Sequence, residues 1–132
     1  MNKFQAFFDT CEAMAKMSYS KRKQVGCVIT KNNRIVSTGW NGMPRGFDNC
    51  CEDENGNTKP EVLHAEFNAL TTMLRHGISS LDCELWVNLS PCLECAKLIA
   101  NAGIKTVYYR EEYRLRDGLE FLKKCNIMTI KL

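Results

Sequence analysis

A chain of 132 residues, 45% hydrophobic and 25% charged, is long enough to fold as one domain, residues 1–132, around a real core. Its formal net charge of +3 is mild, which argues against a nucleic-acid reader, and no apolar run reaches membrane-spanning length. The start is interrupted by Gln5, Asp9 and Glu12 and does not read as a signal peptide; with Cys11, Cys27, Cys83 and Cys125 set among apolar residues, the eight cysteines point to reduced thiols in a cytoplasmic compartment.

Phe4, Phe7, Phe8, Cys11, Met14 and Ala15 recur at helical spacing and predict an amphipathic helix over residues 3–17, its aromatic stripe turned to the core. Residues 25–30 and 34–38 are β-branched runs joined by Lys31-Asn32-Asn33, a hairpin whose asparagines accept positive φ. Residues 39–60 hold several glycines and prolines with little periodicity and read as the longest loop, a place where function concentrates. A helix over residues 61–76 follows, closed by Gly77. Next come a strand over residues 84–89 and a helix opened by Ser90-Pro91 that runs to about Asn101, with Gly103 just beyond. A strand over 104–109, a helix over 115–124 and a strand over 127–132 complete the chain. Helical crossovers between the later strands favour parallel neighbours. The expected fold is α/β, a five-stranded mixed sheet with helices on both faces.

Two pieces carry chemistry. His64-Ala65-Glu66 offers an imidazole and, two residues on, a carboxylate; Pro91-Cys92-Leu93-Glu94-Cys95 offers two thiols. Cys92 and Cys95, at i and i+3 of a helix start, face one point, and the helix dipole favours their thiolates. His64, Cys92 and Cys95 make three zinc ligands (Zn2+), leaving a fourth tetrahedral position for water, the arrangement of a catalytic site. Glu66 is not needed as a ligand and is free to act as the acid/base group. A structural zinc would have no use for that carboxylate, and a redox C-x-x-C would leave His-Ala-Glu unexplained.

The pattern H-x-E…P-C-x-x-C is that of zinc deaminases acting on nucleobases, and from Arg22 to the last strand the chain resembles the cytidine/deoxycytidylate deaminase superfamily. The likeness is strongest to deoxycytidylate (dCMP) deaminases, in Arg22-Lys23-Gln24-Val25-Gly26, Gly39-Trp40-Asn41-Gly42-Met43-Pro44-Arg45-Gly46, His64-Ala65-Glu66-Phe67-Asn68-Ala69 and Ser90-Pro91-Cys92-Leu93-Glu94-Cys95-Ala96-Lys97. Trp40 stands where that family more often has tyrosine. tRNA adenosine deaminases share the metal motifs but usually carry glutamate before Pro-Cys, where this chain has Ser90.

The resemblance implies the three-layer α-β-α cytidine deaminase-like fold and zinc-dependent hydrolysis of dCMP to dUMP and ammonia, supplying dUMP for thymidylate synthesis. The competing reading is a deaminase acting on cytosine or adenine within tRNA or single-stranded nucleic acid. On the dCMP reading, Glu66 carries a proton to N3 of the base and then one to the departing amino group. Asn41 would bond the deoxyribose 3′-hydroxyl, with Ala65, Ser90 and Pro91 at the base. Arg22, Tyr113 and one of Arg114 or Arg116 would hold the 5′-phosphate. Members of this type are commonly homo-hexamers, activated by dCTP and inhibited by dTTP, with Mg2+ accompanying the triphosphate. Their effector site implies a role for Gly39, Trp40, Asn41, Gly42, Met43, Arg45 and Gly46. Some relatives place a second, structural zinc near Cys50 and Cys51, but adjacent side chains diverge. The loop from Cys50 to Pro60 also looks shorter and more acidic than in many relatives.

Overall fold

The computed structural model describes residues 2–132. Helix α1 (Lys3–Ala15) starts where the Asn2 side chain accepts a hydrogen bond from the Gln5 N–H at 2.9 Å, and it stops two residues short of the predicted end. β1 (Gly26–Lys31) and β2 (Arg34–Trp40) form the expected hairpin. Asn32 and Asn33 take φ values of 52° and 62°, so the turn is the two-residue kind that suits strand twist. β3 (Glu84–Leu89), β4 (Thr106–Glu111) and β5 (Met128–Lys131) alternate with α3 (Leu93–Asn101) and α4 (Asp117–Lys124), and α2 (Ala65–Arg75) precedes them.

The strands lie in the order β2-β1-β3-β4-β5, with β1 antiparallel to both neighbours and β3, β4 and β5 parallel. This is the expected five-stranded mixed sheet, and helices cover both faces, though unevenly. Strand alternation explains the split. Val28, Trp86 and Tyr108 point to α1, where they pack with Phe7, Phe8 and Cys11. Cys27, Ile29, Leu85, Val87 and Val107 point to the opposite face, where α2, α3 and α4 share one larger core. Trp86 anchors the α1 side, stacked on Tyr108 at 4.0 Å with its indole N–H donating to Thr30 Oγ1 at 2.9 Å.

Several element ends differ from the sequence expectation, and those near the site have a shared reason. The helix expected over 61–76 begins only at Ala65, because Gly42 and Leu63 pair as an isolated antiparallel bridge and hold the preceding residues extended. The helix expected from Ser90 begins at Leu93, because the Ser90 N–H still donates to the Glu111 carbonyl at 2.8 Å. Gly39 and Trp40 belong to β2 rather than to the loop. Gly39 sits against α2 so closely that a Cβ would collide with the Ala65 carbonyl and lie 2.6 Å from Ala69 N. Gly118 likewise lets the start of α4 abut the Pro91 carbonyl. These two contacts press β2 against the start of α2 and α4 against the start of α3, and both starts carry site residues. Among the described residues, no helix is long and apolar enough to cross a membrane.

Candidate active site

His64 is the N-cap of α2 and Cys92 the N-cap of α3. Both have extended backbone (φ −74°, ψ 158° and φ −71°, ψ 170°), and neither side chain makes a capping hydrogen bond. An N-cap side chain normally satisfies a free N–H of the first turn. Here the two caps turn to each other instead, and Cys95, one turn into α3, completes the group. His64 Nδ1 lies 3.5 Å from Cys92 Sγ and 3.3 Å from Cys95 Sγ. The three donor atoms all fall within 4.8 Å of one another, the one such metal-capable group among the described residues.

The spacing fits zinc. Tetrahedral bonds of ~2.3 Å to sulfur and ~2.0 Å to nitrogen put the two donors roughly 3.5 Å apart. The three groups are also electrostatically coupled. The Cys95 thiol bonded to Cys92 holds the Cys92 thiol down at about 4, against burial and with help from His64. The same bond, with burial, pushes Cys95 up. The Cys92 side chain raises His64 above its usual range. A thiolate, a second thiol and an imidazole facing one point between two positive helix ends form a donor set suited to a borderline-soft cation.

Glu66 stands in the first turn of α2, buried at 4% exposure. Burial pushes its carboxyl up to about 7, with the Cys92 charge adding to the effect; its own N–H and His64 act against it. Among the described residues its carboxylate makes no hydrogen bond with another side chain, and it opens on a cleft of about 350 Å³. That volume lies in the range of small-ligand sites. The cleft brings Arg22, Asn41, His64, Ala65, Glu66, Ser90, Cys92, Tyr113 and Arg114 together.

Other expected residues lie elsewhere or are already engaged. Arg116 does not line the cleft; its guanidinium pairs with Glu112 at 2.7 Å. Pro91 is buried beneath the start of α4. The Asn41 amide holds backbone: Oδ1 accepts from the Val25 N–H at 2.9 Å and Nδ2 donates to the Lys23 carbonyl at 2.8 Å. The Ser90 hydroxyl accepts from the Tyr113 N–H at 2.7 Å, tying the turn after β3 to the segment carrying Tyr113 and Arg114. Met43, Arg45 and Gly46 sit on the surface loop beyond Asn41, with Gly46 at φ 89°. Cys50 is exposed and Cys51 buried; their thiols contact the carbonyls of Glu52 and Asn49 respectively.

Ser20, Lys23, Val25, Thr58, Val62 and Leu89 also line the cleft, unpredicted. Lys23 adjoins Arg22 in a basic run that was visible in the sequence. Thr58 comes from the long loop, where no periodicity marks it, and Val62 from the stretch expected to be helical.

Residues 1–111 match the family described as the cytidine and deoxycytidylate deaminase zinc-binding region. A crystal structure of dCMP deaminase from the cyanophage S-TIM5, in complex with dCMP and dUMP, superposes with a TM-score of 0.95 at 45% identity, covering 98% of this chain and 96% of that one. A probable deoxycytidylate deaminase of Caenorhabditis elegans is 36% identical over 127 residues, 92% of this chain and 62% of that protein. The human deoxycytidylate deaminase is 38% identical over 106 residues, 74% of this chain and 58% of its own length. The chain thus spans about three-fifths of the nematode and human proteins and nearly all of the phage one. Together with a His/Cys/Cys centre spaced for zinc, these likenesses lead to one conclusion: the chain belongs to the cytidine and deoxycytidylate deaminase family of zinc hydrolases, and within it is of the deoxycytidylate deaminase kind.

Proposed function

We propose that this protein hydrolyses dCMP to dUMP and ammonia within one domain, residues 1–132, with Glu66 as its acid/base group and His64, Cys92 and Cys95 as zinc ligands. The observation that carries the reading is the layout of the cleft. A buried, unpaired carboxylate lies beside the metal donors, while Arg22, Tyr113 and Arg114 line the same small cavity. Zinc bound by the three donors supplies Lewis acidity that brings the pKa of water toward neutrality. Glu66 takes the proton of the attacking water and holds it for N3 of the base. It then takes the proton of the new C4 hydroxyl and delivers it to the departing amino group. A C4–O bond forms and the C4–N bond breaks, so one water is consumed and one ammonia leaves. A carboxyl held near 7 suits both transfers at neutral pH.

Recognition follows from the remaining lining. Arg22 and Arg114 offer planar forks to a 5′-phosphate, and Tyr113 a hydroxyl. Arg114 takes this role rather than Arg116, which is occupied by Glu112. Asn41 still has one amide hydrogen and one lone pair unspent, enough for a 3′-hydroxyl, and its backbone bonds fix where they point. Ala65 and Ser90, which line the cleft, border the base. A cavity of about 350 Å³ favours a mononucleotide over the alternative of cytosine or adenine within tRNA or single-stranded DNA, which calls for an open basic track.

Arg22→Ala is expected to raise KM for dCMP by about 10–100-fold, with kcat falling less, as for loss of a charge-assisted bond made in both ground and transition states. Steady-state rates followed by ultraviolet absorbance check this; an unchanged KM would remove Arg22 from the phosphate site.

The finer expectations belong to the same proposal: a cytoplasmic homo-hexamer supplying dUMP for thymidylate synthesis, activated by dCTP and inhibited by dTTP, with Mg2+ on the triphosphate. The support is positional. Gly39 and Trp40 are fixed in β2, so effector contacts would fall to Asn41, Gly42, Met43, Arg45 and Gly46, and Asn41 reaches the cleft. A triphosphate on that loop would therefore act on a substrate contact. dCTP is expected to lower, and dTTP to raise, the dCMP concentration at half-maximal rate. An unchanged rate curve with both removes the regulatory part.

A further inference from the structure

Residues 18–25 form neither helix nor strand, yet this strap lies along the cleft and supplies Ser20, Arg22 and Lys23 to its lining. Its backbone is held by side chains from distant parts of the chain. Asn41 bonds Lys23 and Val25, and Asn88 Nδ2 donates to the Gln24 carbonyl at 3.2 Å. At the strap's centre stands Glu52, only 8% exposed. One carboxylate oxygen, Oε2, accepts from Ser20 Oγ at 3.1 Å, Lys21 N at 3.0 Å and Arg22 N at 3.3 Å. The other, Oε1, is buried with no partner among the described residues.

That asymmetry is informative. A buried carboxylate is costly unless its charge is met by donors. All three donors that meet it belong to three consecutive residues of the strap, converging on one oxygen. Burial works to raise the Glu52 carboxyl, yet these bonds outweigh it and hold it below the usual range, so it is ionised at neutral pH. Glu52 is itself braced. It pairs with Thr58 as an isolated bridge, and Asp53 Oδ1 accepts from the N–H groups of Asn55 and Asn57 in the turn that follows. Thr58 also lines the cleft. A rigid acidic loop thus grips the strap directly behind Arg22, where a salt bridge to the guanidinium would have been the simpler use of a glutamate. The guanidinium is left for something else.

We propose that Glu52 is a positioning residue for substrate recognition, fixing the backbone of Ser20, Lys21 and Arg22 so that the Arg22 side chain meets the 5′-phosphate. This rests on the dCMP reading above. It also gives the acidic loop from Cys50 to Pro60 a task, through Glu52, in shaping the cleft.

Glu52→Gln keeps the shape but presents a neutral amide to three convergent donors. It is expected to raise KM for dCMP by about tenfold, with kcat within about twofold of the parent. Because Glu52 acts through Arg22, the Glu52→Gln/Arg22→Ala double variant is expected to have the KM of Arg22→Ala alone. Ser20→Ala, which removes one donor and leaves the carboxylate, should show a smaller KM rise and serves if Glu52→Gln does not fold. Zinc content and melting temperature are read on every variant. A KM for the folded variant equal to the parent's, a fall confined to kcat, or a double variant whose loss is the product of the two single losses would overturn the proposal. Parent turnover of dCMP in the same assay separates the two readings. Without it both fall; with it, only the Glu52 comparison can sink this one.

Discussion

Glu66→Gln is expected to keep one zinc per chain and to lower kcat for dCMP by about 10²–10⁴-fold, the usual worth of a positioned acid/base group. The substitution preserves size in a place with little room, since Glu66 is buried at 4% exposure. It leaves His64, Cys92 and Cys95 untouched, and the carboxylate has no structural bond to another side chain to lose. Removing a buried ionisable group that has no side-chain partner among the described residues does not destabilise, because burial, with the Cys92 charge adding to it, pushes its carboxyl up to about 7. Folding and metal content should therefore be unchanged while turnover collapses. Metal analysis beside steady-state kinetics distinguishes the outcomes. A variant that retains zinc and turns over dCMP at the parent rate would strip Glu66 of its role.

Cys95→Ala should abolish zinc binding and turnover together. Cys95 lies one turn into α3, 5% exposed, with Sγ 3.3 Å from His64 Nδ1. It has no neighbour able to replace it: among the described residues the metal-capable group consists of His64, Cys92 and Cys95 alone. Chelation of the parent protein should have the same effect reversibly. Ligand linkage then predicts a stability loss of about 4 kcal/mol relative to free zinc held at ~1,000 times its dissociation constant. The loss should appear as a lower denaturation midpoint on chelation, absent in Cys95→Ala, which has no zinc to give up. Zinc should restore the chelated parent and Mg2+ should not, because thiolate and imidazole donors suit the softer ion. Full turnover by zinc-stripped protein would contradict the reading.

The sheet and the metal donors were legible in the sequence because both depend on short-range spacing. The apolar Leu85-Trp86-Val87 run, the Asn32-Asn33 turn and the i, i+3 cysteines need no knowledge of distant contacts. The starts of α2 and α3 were misjudged because they are decided by long-range backbone pairing, Gly42 with Leu63 and Ser90 with Glu111. Those late starts make His64 and Cys92 N-caps, and the extended cap conformation turns their side chains toward each other. The Glu112–Arg116 ion pair was not legible, because residues 112–116 precede α4 and carry no helical register to bring the two together. Glu52 was out of reach: its partners lie about thirty residues away in a strap without periodicity, and its neighbours Asp53 and Glu54 make it look like one more surface acid.

The most direct test of the central claim is product analysis of dCMP incubated with the zinc-loaded chain, beside a cytosine-containing oligonucleotide at the same concentration. The site predicts conversion of dCMP to dUMP with one ammonia released per dUMP, and an oligonucleotide left intact. Unchanged dCMP alongside a deaminated oligonucleotide would contradict it.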